Sequence, residues 1–232
     1  MTTAHALLTS MIPVAYLLGS VPFGLLIART RGVDPRTAGS GNIGATNVGR
    51  LLGPKFFAAV FMLDLLKGLV PTLAAALVIQ HGLSAGVRAQ RTDYLLQLLV
   101  GFAAIFGHMC SVFLGFKGGK GVATSSGVII GVFPYFTAAA IIGAAGFGFV
   151  LKTTRYMSLA SMVGAAGFGL GYIGLALGFG WPLLTEQLPL LVFAVLLPAT
   201  IIYKHRGNIA RLRAGTENPL TRSREASAEH PG

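Results

Sequence analysis

The chain has 232 residues, a formal net charge of +11 and a mean hydropathy of +0.71. Hydrophobic residues make up 53% of it and charged residues only 11%, against about 25% charged in a typical soluble domain. This composition excludes a soluble globular protein. The basic residues lie in short segments between apolar runs, where they favour membrane orientation and contact with anionic lipid head groups over nucleic acid. We therefore predict an integral membrane protein without a nucleic-acid partner.

Six apolar runs follow one another along the chain, at 4–28, 56–79, 94–116, 122–151, 157–179 and 183–203. A bilayer core of roughly 30 Å needs about 20 apolar residues in each spanning helix. The fourth run is too long for one ordinary crossing and contains Gly131 and Pro134, so we expect two short helices there, with room for a partly re-entrant one. The predicted fold class is all-α, a polytopic membrane protein with seven transmembrane helices, two of them short.

The distribution of positive charge predicts the orientation of this bundle. With the N-terminus outside and the C-terminus cytoplasmic, the basic connecting segments become cytoplasmic, as the positive-inside rule requires. Only Arg88 and Arg91 then lie outside. We expect a single membrane domain over residues 1–217, followed by a disordered cytoplasmic tail over 218–232, because this tail is polar and contains few apolar residues.

The first polar segment follows the first apolar run and is rich in small, hydroxyl and amide side chains. Its chemistry-bearing members are Ser40, Gly41, Asn42, Thr46 and Asn47. Arg50 comes directly after them and offers a planar fork for phosphate oxygens. Such a segment is able to wrap a polyol and a phosphate together. A helix cap with a solvated loop is the alternative.

The second polar segment is a short loop between the third and fourth runs, made of Gly118, Gly119, Lys120 and Gly121 and followed by Thr124. Consecutive glycine N–H groups, a lysine and the start of a helix together favour an anion, and a tight turn is the alternative. The loop is not a nucleotide P-loop, because Leu114 occupies the position of its first glycine. His108 lies just before the loop and either bridges helices or meets a substrate.

The third polar segment follows the last apolar run directly. His205, Asn208 and Arg211 lie three residues apart, so on a continuing helix they share one face, and Glu217 follows. A basic interfacial helix that binds lipid head groups is the alternative. Under the seven-helix topology all three polar segments lie on one side of the membrane, which is the strongest indication of a site.

Two opposite charges lie inside the second apolar run. Asp64 and Lys67 are three residues apart and are expected to form an internal ion pair, since an isolated charge in lipid is costly. The five histidines are scattered without ligand spacing, so we predict no metal and no other cofactor.

The three segments, in this order, resemble the bacterial membrane glycerol-3-phosphate acyltransferases that use acyl phosphate as donor, the PlsY family. The resemblance runs from Gly19 to Glu217 and also includes the stretch from Gly19 to Gly24. It implies transfer of a fatty acyl group from acyl phosphate to the 1-hydroxyl of sn-glycerol 3-phosphate, giving lysophosphatidic acid and phosphate, the first step of phospholipid synthesis. It further implies a bacterial cytoplasmic (inner) membrane location, an active site that faces the cytoplasm, and transient contact with the enzyme that forms acyl phosphate.

The resemblance implies roles for individual residues. Those in the catalytic group are Ser40, Arg50, Lys120, His205 and Asn208. Those that contact substrate are Gly41, Asn42, Thr46, Asn47, His108, Gly118, Gly119, Gly121, Thr124, Arg211 and Glu217. The cations and Ser40 would neutralise phosphates, while His205 and Asn208 would orient the glycerol hydroxyls or the reacting carbonyl. Whether a protein residue or the donor's phosphate takes the hydroxyl proton stays open.

Three other function classes fit the residues less well. Soluble and peripheral glycerolipid acyltransferases have a histidine, four further residues and then an aspartate, whereas Phe113 and Ala210 occupy that position after His108 and His205. This makes an acyl-thioester donor less favoured. A metal-dependent phospholipid head-group transferase would need an aspartate-rich motif, which this sequence does not contain. A transporter for phosphorylated polyols would also use glycine-rich broken helices, but its polar groups would be expected near the bilayer midplane or on both sides.

Overall fold

The structure is a computed structural model that describes residues 3–82 and 89–220. Within these ranges it contains helices and no strands, which confirms the all-α class. The helices are α1 Thr3–Ser20, α2 Phe23–Arg29, α3 Ala45–Leu52, α4 Pro54–Gly82, α5 Arg91–Met109, α6 Val122–Gly131, α7 Thr137–Thr154, α8 Met157–Gly178, α9 Leu188–Lys204 and α10 Arg206–Arg213. Arg88, expected outside the membrane, and residues 221–232 of the tail lie outside the described residues.

Among the described residues, five helical segments are long and apolar enough to cross a membrane. They are Thr3–Arg29, Pro54–Gly82, Arg91–Leu114, Thr137–Thr154 and Met157–Gly178. The pair of α9 and α10, bent by 56° at its break, adds a sixth if it counts as one span. The multi-pass membrane architecture is thus confirmed, whereas the count of seven and the orientation of the termini stay predictions.

The fourth apolar run is broken, as expected, between α6 and α7. The break contains Pro134, which lacks the N–H that a continuing helix needs. At 1.5 Å per residue, the 10 residues of α6 extend about 15 Å, half the hydrocarbon thickness, while the 18 residues of α7 extend about 27 Å. The run therefore forms two helices, as expected: α6 is much shorter than a full crossing, and α7 is the shortest of the five candidate spans.

Glycines allow the helices to approach one another closely. A Cβ on Gly127 of α6 would lie 2.0 Å from the carbonyl oxygen of Leu65 on α4. A Cβ on Gly143 of α7 would lie 2.6 Å from the carbonyl oxygen of Gly164 on α8. Hydrogen is the only side chain these contacts accept, as is common between membrane helices.

One end of the bundle collects the ends of helices that are far apart in sequence. α4, α6 and α8 begin at this end, and α5, α7 and α9 finish there. The first two polar segments connect helices at this end, and the third is the chain that follows α9. The short link between α7 and α8 also lies here. The helix directions therefore bring all three segments together before any side-chain contact is considered.

Ordered structure continues a little past the expected end of the domain at residue 217. The Asn218 carbonyl accepts a hydrogen bond from Arg50 at 2.7 Å, and the Leu220 N–H donates to the Arg155 carbonyl at 2.7 Å. These two contacts tie residues 218–220, which we expected to be disordered, to the site end of the bundle.

Candidate active site

A cavity of about 130 Å³ opens at this end, between the three polar segments. The predicted site residues that line it are Ser40, Asn42, Thr46, Asn47 and Arg50 of the first segment, His108, Lys120 and Gly121 of the second, and His205, Asn208 and Glu217 of the third. The expectation that the three segments converge on one face is confirmed.

The first segment owes its shape to Asn47, which is buried. Its Oδ1 accepts a hydrogen bond from the Ser40 N–H at 2.8 Å. Its Nδ2 donates to the carbonyls of Pro35, Ala38 and Asn42, at 3.0, 3.0 and 2.9 Å. The amide is thus occupied within the protein. Asn47 folds the loop that presents Ser40 to the cavity, and its direct contact with substrate stays a prediction.

The glycines of the second segment fit against the end of α5. Gly118 N–H donates to the Met109 carbonyl at 3.2 Å, and Gly119 N–H donates to the His108 carbonyl at 3.0 Å. A Cβ on Gly119 would lie 2.2 Å from His108 Nε2. We had expected these two N–H groups to bind an anion, but they are already used in hydrogen bonds within the protein. Gly121, at φ +82°, then starts α6, whose positive N-terminus borders the cavity.

Lys120 extends from this loop into the cavity. Its Nζ donates a short hydrogen bond to Asn208 Oδ1. Burial lowers the pKa of Lys120 to about 8; nearby Glu217 opposes this shift, and Arg211 and Arg50 add to it. Since the pKa remains above neutral, Lys120 is largely a cation at pH 7.

His205 lies at the break between α9 and α10, where the chain bends by 56°. Its Nδ1 lies 2.8 Å from the carbonyl of Ile201. Because a carbonyl only accepts, Nδ1 bears the proton and Nε2 is left as an acceptor. Burial lowers the pKa of His205 to about 4, so the imidazole is neutral at pH 7.

Glu217 connects the third segment to α8. Its carboxylate accepts hydrogen bonds from Ser158 Oγ at 2.6 Å, from Asn208 Nδ2 at 2.6 Å and from Arg211 Nε at 2.7 Å. Burial would raise the pKa of Glu217, but these three hydrogen bonds outweigh it and lower the pKa. Ser158 was not indicated by the sequence, because one serine in the first turn of a long apolar helix has no distinguishing pattern.

The two carboxylates that line the cavity are both neutralised by cations that do not line it. Asp64 pairs with Lys67 at 2.7 Å, as expected from their spacing, and Glu217 pairs with Arg211 at 2.7 Å. Neither carboxylate therefore needs a cation from the cavity lining to balance its charge.

Arg50 and Lys120 are consequently the cations of the cavity that have no carboxylate partner in the described part of the chain. One Arg50 nitrogen is bonded to the Asn218 carbonyl, whereas Nε is buried and has no hydrogen-bond partner among the described residues. Burial lowers the pKa of Arg50, which nevertheless stays charged. A buried donor without a partner beside an unbalanced positive charge is suited to a phosphate.

One side of the cavity is apolar. The Phe57 and Phe61 rings of α4 stack with centroids 5.9 Å apart, and Phe147 of α7 and Met157 of α8 also line the cavity. The remaining lining residues that we had not predicted are Gly44, Ala45, Asp64, Val122, Ala123, Ser158 and Ser161. Aromatic residues on apolar runs are indistinguishable by sequence from lipid-facing ones, which is why this side was not anticipated.

Five predicted substrate contacts do not line the cavity, namely Gly41, Gly118, Gly119, Thr124 and Arg211. Gly41 forms an exposed turn at φ +70°. Thr124 is fully buried, and its carbonyl lies against Gly68 of α4. Arg211 is held by Glu217. Their geometry supports roles in shaping the site, and direct contact with substrate stays a prediction for them.

Comparison with known proteins identifies the family. The sequence matches the family model described as glycerol-3-phosphate acyltransferase over residues 9–215. The chain belongs to the glycerol-3-phosphate acyltransferase family. A family member from Geotalea daltonii is 45% identical over 208 residues, covering 90% of this chain and 95% of the relative. Another from Geobacter sulfurreducens is 47% identical over 209 residues, covering 88% and 93%.

Solved structures of a family member have the same fold. The crystal structure of PlsY, an integral membrane glycerol 3-phosphate acyltransferase, in its glycerol 3-phosphate form aligns with a TM-score of 0.76 at 39% identity, covering 92% of this chain and 96% of PlsY. The lysophosphatidic acid form aligns with a TM-score of 0.74 at 38% identity. The family resemblance and the membrane fold expected from the sequence are confirmed.

Proposed function

We propose that this acyltransferase transfers a fatty acyl group from acyl phosphate to the 1-hydroxyl of sn-glycerol 3-phosphate, giving lysophosphatidic acid and inorganic phosphate. Family membership supports the acyltransferase class, and the crystal forms of the PlsY relative support glycerol 3-phosphate and lysophosphatidic acid as its ligands. The observation that carries the proposal is one cavity that joins two unbalanced cations to an aromatic wall. Such a cavity matches a phosphate-bearing acyl donor.

Lys120, Arg50 and Ser40 bind the phosphates in this proposal. Arg50 offers a planar donor group with an unused buried Nε, and Lys120 offers a point charge at the start of α6. Both charges are held in place by contacts with the protein before substrate arrives, so little reorganisation is needed as charge develops on the leaving phosphate.

The acyl chain lies along the aromatic wall. Phe57 and Phe61 belong to the first two turns of α4, and Phe147 to α7, both of which are membrane spans by length and composition. A fatty acyl group therefore remains among apolar side chains while its phosphate reaches the cations. Burial of the chain accounts for part of donor affinity, at about 0.8 kcal/mol for each methylene removed from water.

Acyl transfer needs no protein nucleophile here. The glycerol hydroxyl oxygen attacks the acyl carbonyl carbon, the bond from that carbon to the phosphate oxygen breaks, and the hydroxyl proton ends on the departing phosphate. Burial lowers the pKa of His205 to about 4, so it is a weaker base than a phosphate group, whose second pKa is about 6. We assign His205 to orienting the hydroxyl through Nε2, and the proton to the donor's phosphate.

Asn208 has a positioning role in this scheme. Its Oδ1 accepts from Lys120 and its Nδ2 donates to Glu217, so both ends of the amide are used. The Asn208 amide thereby links the Lys120 ammonium to the Glu217 carboxylate through two hydrogen bonds. This places the Lys120 charge without direct contact between Asn208 and the reacting atoms.

We propose seven transmembrane helices, with the site facing the cytoplasm of a bacterial inner membrane. Among the described residues, the connections at the site end carry Arg29, Arg31, Arg36, Arg50, Lys55, Lys117, Lys120, Lys152, Arg155 and the basic residues after α9, whereas Arg91 lies at the opposite end. This asymmetry supports a cytoplasmic site by the positive-inside rule. Membrane lipids surround the spans, and the enzyme that forms acyl phosphate would deliver its product to this face.

The donor is tested directly with the purified protein in detergent or lipid. Glycerol 3-phosphate is supplied with either acyl phosphate or acyl-CoA, and phosphate release and lysophosphatidic acid are measured. We expect product with acyl phosphate and none with acyl-CoA. Product with acyl-CoA alone would refute the donor assignment. Absence of product with either donor, from protein shown to be folded, would refute the acyltransferase reaction and favour transport of a phosphorylated polyol.

A further inference from the structure

A charged cluster lies buried beneath the loop that bears Lys120. Asp64 Oδ1 on α4 lies 2.7 Å from Lys67 Nζ and 3.6 Å from His108 Nδ1 on α5. The side chains of Asp64, Lys67 and His108 are only 4%, 2% and 5% exposed. Ionisable side chains buried this completely inside a membrane protein are energetically costly and usually serve a function.

Stability alone does not account for this cluster. Replacement of a buried ion pair by apolar residues of similar size is often neutral or stabilising, because the desolvation of two charges offsets their attraction. Asp64 and His108 also line the cavity, so the cluster adjoins the site rather than the lipid.

His108 connects the cluster to the loop in two ways. Its carbonyl accepts the Gly119 N–H at 3.0 Å, and its ring occupies the space in which a Gly119 side chain would lie, with Nε2 2.2 Å from the Cβ position. The next residue along the chain is Lys120. The His108 ring therefore packs directly against the residue that precedes the phosphate-binding lysine.

Asp64 and Lys67 restrain that ring. At 3.6 Å the contact between Asp64 and His108 Nδ1 is electrostatic rather than a hydrogen bond, and the carboxylate favours a proton on Nδ1. Lys67 binds the same carboxylate oxygen, Oδ1, and is itself fixed by a 3.0 Å hydrogen bond to the carbonyl of Val21, between α1 and α2. The cluster is thus attached to three parts of the fold and is not free to rotate.

We propose that the Asp64–Lys67 pair positions the His108 ring and, through it, Lys120, so that the lysine charge meets the substrate phosphate. Asp64 and Lys67 are positioning residues, since they act through His108 and the loop rather than on the reacting atoms. This inference rests on the proposed function and names the part of the fold that prepares its phosphate site.

The test is a double variant, Asp64→Leu with Lys67→Met, which removes both charges and leaves no unpaired ion. We expect membrane insertion and melting temperature close to wild type. We expect the KM for glycerol 3-phosphate and its calorimetric Kd to rise about tenfold or more, since small displacements of a binding group are costly. A stable double variant with unchanged KM and Kd would overturn the inference.

A matched control comes from the opposite end of α5. His5 Nε2 and Asp93 Oδ1 form a second histidine–carboxylate contact at 2.9 Å, remote from the cavity lining. His5→Gln should leave KM and Kd unchanged. Lack of turnover in the wild type itself would refute the proposed function. A change, or no change, in the KM and Kd of the double variant tests only the role of the Asp64–Lys67 pair.

A second pair of variants applies if the double variant fails to fold. His108→Ala empties the space against Gly119, and His108→Asn keeps a donor near Asp64 and part of the volume. We expect His108→Ala to raise the Kd for glycerol 3-phosphate about tenfold and His108→Asn to recover part of that loss. Equal Kd values for both variants and the wild type would overturn the inference.

Discussion

Removal of the Lys120 charge is the sharpest test of the phosphate site. In Lys120→Ala the cavity keeps Arg50 but loses one of its two unbalanced cations and the donor that holds Asn208. The loop itself is held by the main chain of Gly118 and Gly119, so the backbone is expected to keep its path. The variant therefore reports on charge rather than on folding.

The expected size of the effect follows from partial burial. Two unit charges 4 Å apart attract by about 4 kcal/mol at the effective dielectric constant of 20 that describes sites near a protein surface. Part of this is offset in the wild type, because the Lys120 ammonium already donates to Asn208 and must exchange that partner for phosphate. A net loss of about 3 to 4 kcal/mol corresponds to a fall in kcat/KM of about 10²- to 10³-fold.

The assay measures phosphate release from acyl phosphate at varied glycerol 3-phosphate, beside the melting temperature of each protein. Lys117→Ala is the matched control, because Lys117 is an exposed cation of the same loop that does not line the cavity. It should stay within about twofold of wild type, as exposed charges contribute little. A folded Lys120→Ala enzyme within about threefold of wild type would refute the charge argument, since so small a loss is below 1 kcal/mol.

Further predictions concern pH and two other site residues. With the pKa of Lys120 at about 8, the lysine loses its charge as pH rises, so kcat/KM should fall above pH 8. In Lys120→Arg this fall should move to higher pH, because arginine keeps its charge. Identical pH profiles of kcat/KM for the wild type and this variant would contradict the prediction. Arg50→Ala should lower kcat/KM about 10²-fold, with partial recovery in Arg50→Lys, because lysine restores charge without the planar fork. Glu217→Gln should weaken the hydrogen bonds that residue 217 accepts from Asn208 and from the Arg211 cation, so we expect the free energy of unfolding to fall by about 1 to 3 kcal/mol. An unchanged melting temperature would contradict this prediction.

The sequence alone determined the membrane class, most spans and the three polar segments. Spanning helices require long apolar runs, and a proline with its missing N–H ends a helix, so both are readable locally. The spacing of Asp64 and Lys67 likewise predicted their ion pair, because residues three apart on a helix are neighbours. The motifs also carried the family resemblance. These features depend on residues close in sequence, or on composition.

Only the tertiary structure decided how these parts meet. The contact of Glu217 with Ser158 joins residues 59 positions apart, and that of Lys120 with Asn208 joins residues 88 apart. Tertiary packing also used the Gly118 and Gly119 N–H groups within the protein, bent the chain at His205 and set an aromatic wall beside the cations. Such contacts follow from the directions and close approach of packed helices, which no short stretch of the chain encodes.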